Sequence, residues 1–376
     1  MRATRREIIG AAAVAAVGWR TFGLPGLATA AGPGYGPLGP PDGNGVSLPA
    51  SFKARLIGYT GRPVAGTGYL WHGEPDGAAT FATGDGGWVL TCNSEVNGAG
   101  GGVSAIRFGA DGEPVSAYRV LKGTKWNCAG GATPWGTWLS CEEFRNGMVW
   151  ECDPFKPGQG VARKAMGVRP HEAAPTDPDT GVVYLTEDDH EGRLYRFIPD
   201  RYGDLSSGAL FAAQVGAGGL VTWIPVSPKW PARGKDTTLF DRGEGAWISH
   251  GTLYFSTTET DRVWALDLAT QRISVIYDGQ GANIGDALHE PDNVTIHERT
   301  GHAFVAEDAD DIQLVQLVRS GTAWVAAPFL QFVGHGGSEV TGPTFSPDGS
   351  RLYVNSQRGF DGNGMTFEIT GPFATA

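Results

Sequence analysis

The stretch Gly87-Trp88-Val89-Leu90-Thr91-Cys92-Asn93-Ser94-Glu95 decides the fold, because its pattern recurs along the chain. It opens with a turn glycine, continues as a strand-length run of apolar and β-branched residues, and ends in a small polar residue and an acid. The same pattern, ending in an acid or an amide, occupies residues 87–95, 136–143, 181–188, 251–259, 301–308 and 349–357. The chain therefore repeats one β-unit.

The repeats are spaced by about 45 residues, the length of one four-stranded propeller blade. Six such units predict an all-β fold, a closed six-bladed β-propeller that forms a single domain over residues 51–376. Ser346-Pro347-Asp348-Gly349, just before the last repeat, is a tight-turn sequence common in such blades. A sandwich or an open barrel would also be all-β, but neither explains the period.

The N-terminus carries an export signal. Thr4-Arg5-Arg6 precedes a short apolar stretch and a small-residue cleavage site, Ala28-Thr29-Ala30. We interpret residues 1–30 as a cleaved twin-arginine signal peptide, with an ordinary secretory signal or a basic leader as the alternatives. The apolar stretch is too short for a permanent membrane anchor. The prediction is a periplasmic or secreted protein that engages the twin-arginine export machinery, with a flexible linker over residues 31–50.

The charge balance limits the possible partners. The formal net charge is −11 and no basic patch is present, so nucleic acid is an unlikely partner. The four cysteines, Cys92, Cys128, Cys141 and Cys152, are not spaced as a dense disulfide framework. An acidic protein that binds an anionic substrate needs local cations, which are usually metal ions.

Antiparallel pairing places many acids on one rim of the predicted propeller. A second motif, such as His171-Glu172 or Pro291-Asp292-Asn293, lies one short strand before each repeat glycine. The start of that strand and the end of the next one share an end of the blade. The candidate metal ligands from this geometry are Glu95, Glu172, Glu187, Asp188, Glu244, Asp292 and Glu307.

Close like charges repel by about 1–4 kcal/mol per pair at a protein surface, and bound cations are the usual remedy. Oxygen ligands favour hard ions such as calcium, whereas a thiolate such as Cys128 favours a transition metal. The alternative is a set of solvated acids without an ion. Glu142 and Glu143 are adjacent, so at most one of them is expected in the channel unless the strand has ended, and we favour Glu142.

One long motif carries a resemblance to a known family. The stretch Asn127-Cys128-Ala129-Gly130-Gly131-Ala132-Thr133-Pro134-Trp135-Gly136-Thr137-Trp138-Leu139-Ser140-Cys141-Glu142-Glu143 resembles the most distinctive motif of the PhoX alkaline phosphatases. His171-Glu172-Ala173-Ala174, Asp241-Arg242-Gly243-Glu244 and Pro291-Asp292-Asn293 are similar to later motifs of that family, in the same order.

The resemblance implies a six-bladed propeller that holds iron and calcium in its channel and hydrolyses small phosphate esters. It implies that Cys128 is the iron ligand, with a buried thiol or half of a disulfide as the alternatives. Metal-binding acids would fall on Glu142, Glu172, Glu244 and Asp292. Arg242 would be the catalytic, phosphate-contacting residue, or otherwise an ion-pair partner of Glu244 or Asp241, and Asn293 would be a second substrate contact.

The chain also departs from the family pattern. It has Arg-Gly-Glu-Gly at residues 242–245 and Glu290-Pro291, where longer members tend to have Arg-Pro-Glu-Trp and Cys-Pro. Two other functions therefore remain open at this point. A calcium-dependent lactonase-like hydrolase would not need Cys128. A non-catalytic metal-binding propeller would not need Arg242.

Overall fold

A computed structural model of the chain describes residues 34–373. These residues form 25 strands and three short 3-10 helices (Gly98–Gly100, Lys164–Met166 and Ala217–Gly219), and they contain no α-helix. None of their helices is long and apolar enough to cross a membrane. The predicted signal peptide lies outside the described residues.

The strands form six sheets in chain order, which confirms the predicted six-bladed propeller. Two strands precede the first blade, β1 (Val46–Ser47) and β2 (Lys53–Tyr59). Blade 1 contains β3 (Pro75–Ala82), β4 (Trp88–Ser94), β5 (Gly101–Phe108) and β6 (Pro114–Thr124). Blade 2 contains β7 (Asn127–Ala132), β8 (Trp138–Glu142), β9 (Val149–Cys152) and β10 (Val161–Ala162). Blade 3 contains β11 (Val183–Leu185), β12 (Tyr195–Arg201), β13 (Asp204–Val215) and β14 (Val221–Pro225).

The second half of the chain repeats the arrangement. Blade 4 contains β15 (Gly243–Ser249), β16 (Thr252–Thr257), β17 (Arg262–Asp267) and β18 (Arg272–Asp278). Blade 5 contains β19 (Pro291–His297), β20 (His302–Glu307), β21 (Gln313–Ser320) and β22 (Ala323–Phe332), with β1 on its outer edge. Blade 6 contains β23 (Val340–Phe345), β24 (Arg351–Ser356), β25 (Met365–Thr370) and β2. The six repeats are thus β4, β8, β11, β16, β20 and β24, each second from the channel in its blade. In blade 3 the innermost segment pairs with the repeat only through isolated bridges, His171 with Glu187 and Thr176 with Val183.

The last blade closes the ring. It takes three strands from the end of the chain and its outer strand, β2, from the beginning, with Lys53 opposite Thr370 and Tyr59 opposite Met365. The two ends of the domain are thereby held in one sheet. Closure of this kind leaves only short edge strands.

The segment before β2 corrects one prediction. Residues 31–50 were predicted as a flexible linker, but residues 34–50 pack on the propeller: Val46 pairs with Phe332, and the Tyr35 ring lies 4.8 Å from that of Phe52. Val46 and Leu48 are buried. A few apolar side chains in a Gly- and Pro-rich segment are therefore enough to fix it against blade 5.

The apolar core lies between neighbouring blades. The described residues form six buried clusters, and each joins one blade to the next around the ring. Between blades 6 and 1, for example, Trp88 Nε1 donates to the Tyr353 hydroxyl at 3.0 Å. Full burial of one large apolar side chain stabilises by roughly 1.5–3 kcal/mol, so the stability of each blade depends on both neighbours. Cys92 and Cys141 lie in this core as predicted, and all four cysteines are free thiols.

Polar side chains also join the inner strands of neighbouring blades. Asn93 Nδ2 donates to the carbonyl oxygens of Cys128 and Ala129, both at 2.8 Å. Asn355 Nδ2 donates to the Asp76 carbonyl at 3.0 Å, and the Ser256 hydroxyl donates to the Asp292 carbonyl. These bonds fix the inner strands relative to one another.

The inner strands of neighbouring blades approach so closely at Gly245 that there is no room for a side chain at this position. A Cβ atom there would lie 2.5 Å from Asn293 Cα, whereas one at Gly84, in a turn, would meet nothing within 4 Å. We expect Gly245→Ala to lower the free energy of unfolding by about 1–3 kcal/mol, because backbone must move to admit the methyl group. Gly84→Ala is the matched control and should stay within about 1 kcal/mol of the parent. Urea unfolding of both variants measures this; equal stabilities would contradict the packing argument.

Candidate active site

In all six blades, one pair of equivalent backbone positions lies at the same end of the channel. In each blade, the residue that starts the innermost strand or segment pairs with the residue that ends the next strand. The six pairs are Pro75 with Ser94, Asn127 with Glu142, His171 with Glu187, Gly243 with Thr257, Pro291 with Glu307, and Val340 with Ser356. We call this end of the propeller the rim.

The residues that follow these pairs form two sets. The first ring, one residue into each inner strand, consists of Asp76, Cys128, Glu172, Glu244, Asp292 and Thr341. The second ring, just after each second strand, consists of Glu95, Glu143, Asp188, Thr258, Asp308 and Gln357. Four members of the first ring and five of the second line a single cavity. The rim acids predicted from the repeat thus converge, although not every predicted residue is among them.

A backbone irregularity frees the first-ring side chains. The inner-strand register shifts between Pro75 and Ala78 in blade 1, and blades 2, 4, 5 and 6 shift at or next to the same place. Such β-bulges leave residues unpaired and redirect a side chain. In blades 1, 2, 4 and 5 the shift therefore lets the first-ring side chain turn into the cavity, as Asp76, Cys128, Glu244 and Asp292 do.

The second ring is held by one backbone hydrogen bond per blade. In each blade, the backbone amide of the second-ring residue donates to one carbonyl oxygen. That oxygen belongs to the residue immediately before the inner strand or segment, and we call this residue's place in the blade the pre-strand position. The six bonds run from Glu95 to Glu74, Glu143 to Trp126, Asp188 to Pro170, Thr258 to Arg242, Asp308 to Glu290, and Gln357 to Glu339, at 2.8–3.2 Å. Four pre-strand residues, Glu74, Trp126, Arg242 and Glu290, have φ between 42° and 51°. A left-handed conformation costs a non-glycine residue roughly 1 kcal/mol or more, and such strain is found preferentially at functional sites.

Three predicted ligands face away from the cavity. Glu142 accepts from the Lys125 and Met148 amides at 3.3 and 3.2 Å, and Glu307 accepts from those of His289 and Gln313 at 2.7 and 3.2 Å. The two carboxylates therefore hold rim loops.

Glu187 is the third of these acids. Its carboxylate pairs with Arg233 at 3.0 Å and accepts from the Tyr195 hydroxyl at 2.8 Å. The physical reason is the alternation of side chains along a strand. The acid that ends the strand turns away, and its successor, Glu143, Asp188 or Asp308, lines the cavity.

Arg242 lines the cavity as predicted, and it is already paired there. Its Nε and Nη2 contact the two Asp188 oxygens at 2.9 and 3.0 Å, and Nη2 lies 3.2 Å from Glu244 Oε1. The expected alternative partner, Asp241, is instead near His190. Carboxylates on two sides hold the guanidinium at the edge of the cavity.

Asn293 does not line the acidic cavity. Its Nδ2 donates to Asp292 Oδ1 at 2.9 Å, and its Oδ1 accepts from the Gly342 amide at 2.6 Å. It belongs to a layer of mostly small residues below the rings that faces an apolar part of the channel. Asn293 therefore orients Asp292, and the prediction of direct substrate contact finds no support in this placement.

Several cavity residues are not among the predicted ligands. Asp76, Asp308, Glu339 and Arg358 line the cavity, and so does Glu143, the less favoured of the adjacent pair. One sequence signal could have revealed Asp76, because Glu74-Pro75-Asp76 repeats the Glu290-Pro291-Asp292 motif. Arg358 pairs with Glu339 at 2.8 Å. Both belong to blade 6, where the repeat is weakest.

Gln357 joins two of the acids. Its Nε2 donates to Asp76 Oδ2 at 2.6 Å and to Glu95 Oε2 at 2.8 Å. The amide thus holds two carboxylates of blade 1 side by side from blade 6.

Three groups of side chains have the geometry of metal sites. They are Asp76–Glu95–Cys128, Cys128–Glu143–Glu172 and Glu172–Glu244–Asp292, each with its ligand atoms within 4.8 Å of one another. Cys128 Sγ belongs to two groups and lies 3.3 Å from Glu172 Oε1. Glu172 is fully buried, and its Oε2 has no hydrogen-bond partner among the described residues. These donors fit bound cations.

Comparison with known proteins identifies the family. The sequence profile of the family described as Alkaline phosphatase PhoX matches residues 91–150, 144–276 and 263–359. The chain belongs to this family. It is therefore an enzyme, a phosphoric monoester hydrolase of the alkaline phosphatase type. No curated protein sequence matches the chain.

Solved structures agree with the fold. The chain is similar to Pseudomonas fluorescens PhoX in complex with vanadate, a transition state analogue, with a TM-score of 0.70 and 18% identity, over 87% of this chain and 96% of that one. It is also similar to a luciferin-regenerating enzyme, with a TM-score of 0.50 and 15% identity, over 86% of this chain and 97% of that one. At these identities the likeness shows the propeller fold.

The electrostatics of this PhoX-family cavity are unbalanced. Eight carboxylates and two guanidiniums line it. Burial, with Glu339 nearby, raises the pKa of Asp76 to about 7; burial and Asp76 raise the pKa of Glu95 to about 8. Burial likewise raises the pKa of Glu172 and of the Cys128 thiol well above their usual values. Without a cation, the folded protein holds protons here that the unfolded chain would release.

This proton binding predicts how the metal-free protein responds to pH. Its free energy of unfolding should fall as pH rises from about 4, the unfolded carboxyl pKa, through about 8, because the folded state binds more protons in that window. We expect a loss of about 2 kcal/mol or more between pH 5.5 and pH 8.5 in chelator-treated protein. Urea unfolding at both pH values is the measurement. A metal-free protein that is equally stable at both pH values would contradict the burial of these acids.

Proposed function

We propose that this PhoX-family protein hydrolyses small phosphate monoesters in the acid-lined cavity and uses iron and calcium there. The observation that carries the proposal is the continuity of the three ligand groups, because Cys128 joins the first to the second and Glu172 joins the second to the third. Neighbouring cations in such a series could all face one phosphate group.

The donor chemistry supports two kinds of metal. Cys128 supplies the only sulfur among the residues that line the described cavity, and a thiolate suits iron. Glu143 and Glu172 complete the set around it. The one group made only of carboxylates, Glu172–Glu244–Asp292, suits calcium. We therefore assign iron to the Cys128 side and calcium to the carboxylate side.

The protein's own residues have a limited chemical role. The side chains that line the cavity include one hydroxyl, that of Thr258, and no histidine within residues 34–373. When bound, the metal ions would supply Lewis acidity toward the phosphoryl group. Arg242 would donate to phosphate oxygens through its planar guanidinium, whose orientation Asp188 and Glu244 fix.

The alternatives from the sequence are less well supported. A lactonase-like calcium propeller gives no reason for a cysteine shared by two ligand groups. A non-catalytic propeller gives no reason for an arginine held between two acids at the cavity. We further propose that the protein reaches the periplasm or the medium by the twin-arginine route, on the strength of its first 30 residues.

The metal assignment predicts the effect of one cysteine substitution. Cys128→Ala should remove iron from protein purified without chelators and leave most of the calcium, because the remaining ligands are carboxylates. Cys141→Ala is the matched control, since Cys141 is also buried but lies in the core between blades 2 and 3. Elemental analysis of parent and variants is the measurement. Unchanged iron in folded Cys128→Ala protein would remove the ligand assignment, and a parent without iron would contradict this part of the proposed function.

The phosphate assignment predicts the effect of one arginine substitution. Arg242→Ala should lower kcat/KM for p-nitrophenyl phosphate by about 10–100-fold and weaken inhibition by vanadate, because a charged donor to the phosphoryl oxygens is lost. Arg351→Ala is the control: Arg351 is comparably exposed and also pairs with a buried acid, Glu368, far from the cavity. Steady-state kinetics decide. Equal kinetics in the Arg242 variant would contradict the contact, and no hydrolysis by the metal-loaded parent would contradict the phosphatase itself.

A further inference from the structure

Trp126 occupies the same backbone position as Arg242. Each lies two residues before its first-ring residue, Cys128 or Glu244, and each is left-handed, with φ of 46° and 51°. Each also accepts, through its carbonyl oxygen, the amide hydrogen bond of a second-ring residue. The Trp126 carbonyl oxygen accepts the amide hydrogen bond of Glu143, which lines the cavity, so the backbone of blade 2 places Trp126 at the rim.

The Trp126 ring is one half of an aromatic pair. Phe144 follows the cavity residue Glu143, and its ring centroid lies 5.8 Å from that of Trp126, at an interplanar angle of 57°. The Lys125 ammonium lies 4.2 Å from the Phe144 centroid and 5.1 Å from that of Trp126. Both rings are only partly buried, so part of their apolar surface faces solvent.

This pair is costly to maintain without a role. A bulky residue with positive φ is a clear conformational outlier, and a partly exposed tryptophan recovers little of that cost by burial. The cavity itself is lined by charged and polar side chains and by no aromatic residue within the described range. A phosphate group held there would leave its ester group at the rim, where Trp126 and Phe144 supply apolar surface.

We propose that Trp126 and Phe144 form a stacking platform for the leaving group of the substrate, and that the enzyme prefers phosphate monoesters whose leaving group carries a planar ring. The proposal rests on the proposed phosphatase function. Aromatic side chains stack on planar rings with little regard to their identity, and they add apolar contact that an aliphatic ester cannot match. The substrate preference should therefore depend on the planar ring of the leaving group and not on the phosphate group.

A matched pair of substrates isolates the ring. Adenosine 5′-monophosphate and ribose 5-phosphate share the leaving oxygen and differ by the base. The parent enzyme should show a kcat/KM about tenfold higher for the nucleotide. Trp126→Ala should remove most of that ratio, Phe144→Ala should lower it, and Trp126→Tyr should retain it, while kcat/KM for ribose 5-phosphate stays within about twofold. Trp135→Ala, in the same blade at the opposite end of the channel, is the control.

The possible outcomes separate this proposal from the phosphatase function. Equal kcat/KM values of the parent for the two esters, or an equal loss on both in folded Trp126→Ala protein, would overturn the platform and leave the phosphatase intact. If neither ester is hydrolysed, the proposed function is contradicted, and the platform is then judged by calorimetric Kd values of the same compounds for the metal-loaded protein. Tighter binding of the nucleotide that Trp126→Ala removes would support it, and equal Kd values would overturn it.

Discussion

Repulsion among buried carboxylates is the constraint on which the rest of this structure depends. Closure of six blades brings eight carboxylates to one cavity, and two arginines offset only part of their charge. The energy that holds this arrangement comes from elsewhere, from the six apolar clusters between the blades and the hydrogen bonds between inner strands. Because each blade is packed on both sides, no single blade can move outward to relieve the repulsion. The acids must instead take up protons or cations, which makes the rim a candidate site for metal ions.

The same rim also uses acids for a structural purpose. Where two acids follow each other at the end of a second strand, the first caps amides of the rim loops and the second faces the cavity, as for Glu142 and Glu143. Loop-holding acids such as Glu307 keep the second ring in place without adding to the charge inside the cavity. One type of side chain therefore serves both structure and chemistry, and its position relative to the strand end decides which.

This division explains what the sequence could and could not predict. The glycine-initiated repeat gives the blade, and antiparallel pairing gives the rim, so the fold and the convergence of acids follow from pattern alone. The choice between Glu142 and Glu143 depends on the residue at which a strand ends, and a repeat does not fix that boundary to one residue. The sequence pattern predicted Asn293 beside the substrate, but the structure places it below the cavity for a related reason. The bulge turns its neighbour Asp292 into the cavity and leaves the side-chain amide of Asn293 beneath it. Arg358 and its ion-pair partner Glu339 were not predicted because both lie in blade 6, where the repeat is least regular.

The pre-strand position shows how one backbone geometry can serve different chemistry. It holds Glu74, Trp126, Pro170, Arg242, Glu290 and Glu339 in the six blades. In each blade the structural duty of this residue is carried by its carbonyl oxygen, which accepts the second-ring amide. The side chain is therefore free of that duty, even though four of the six residues accept a strained left-handed conformation. At Trp126, a substitution can change what the rim presents to a ligand without moving Glu143, because the hydrogen bond between these two residues involves only backbone atoms. The pre-strand backbone thus holds the second ring in every blade, whereas the pre-strand side chain differs from blade to blade.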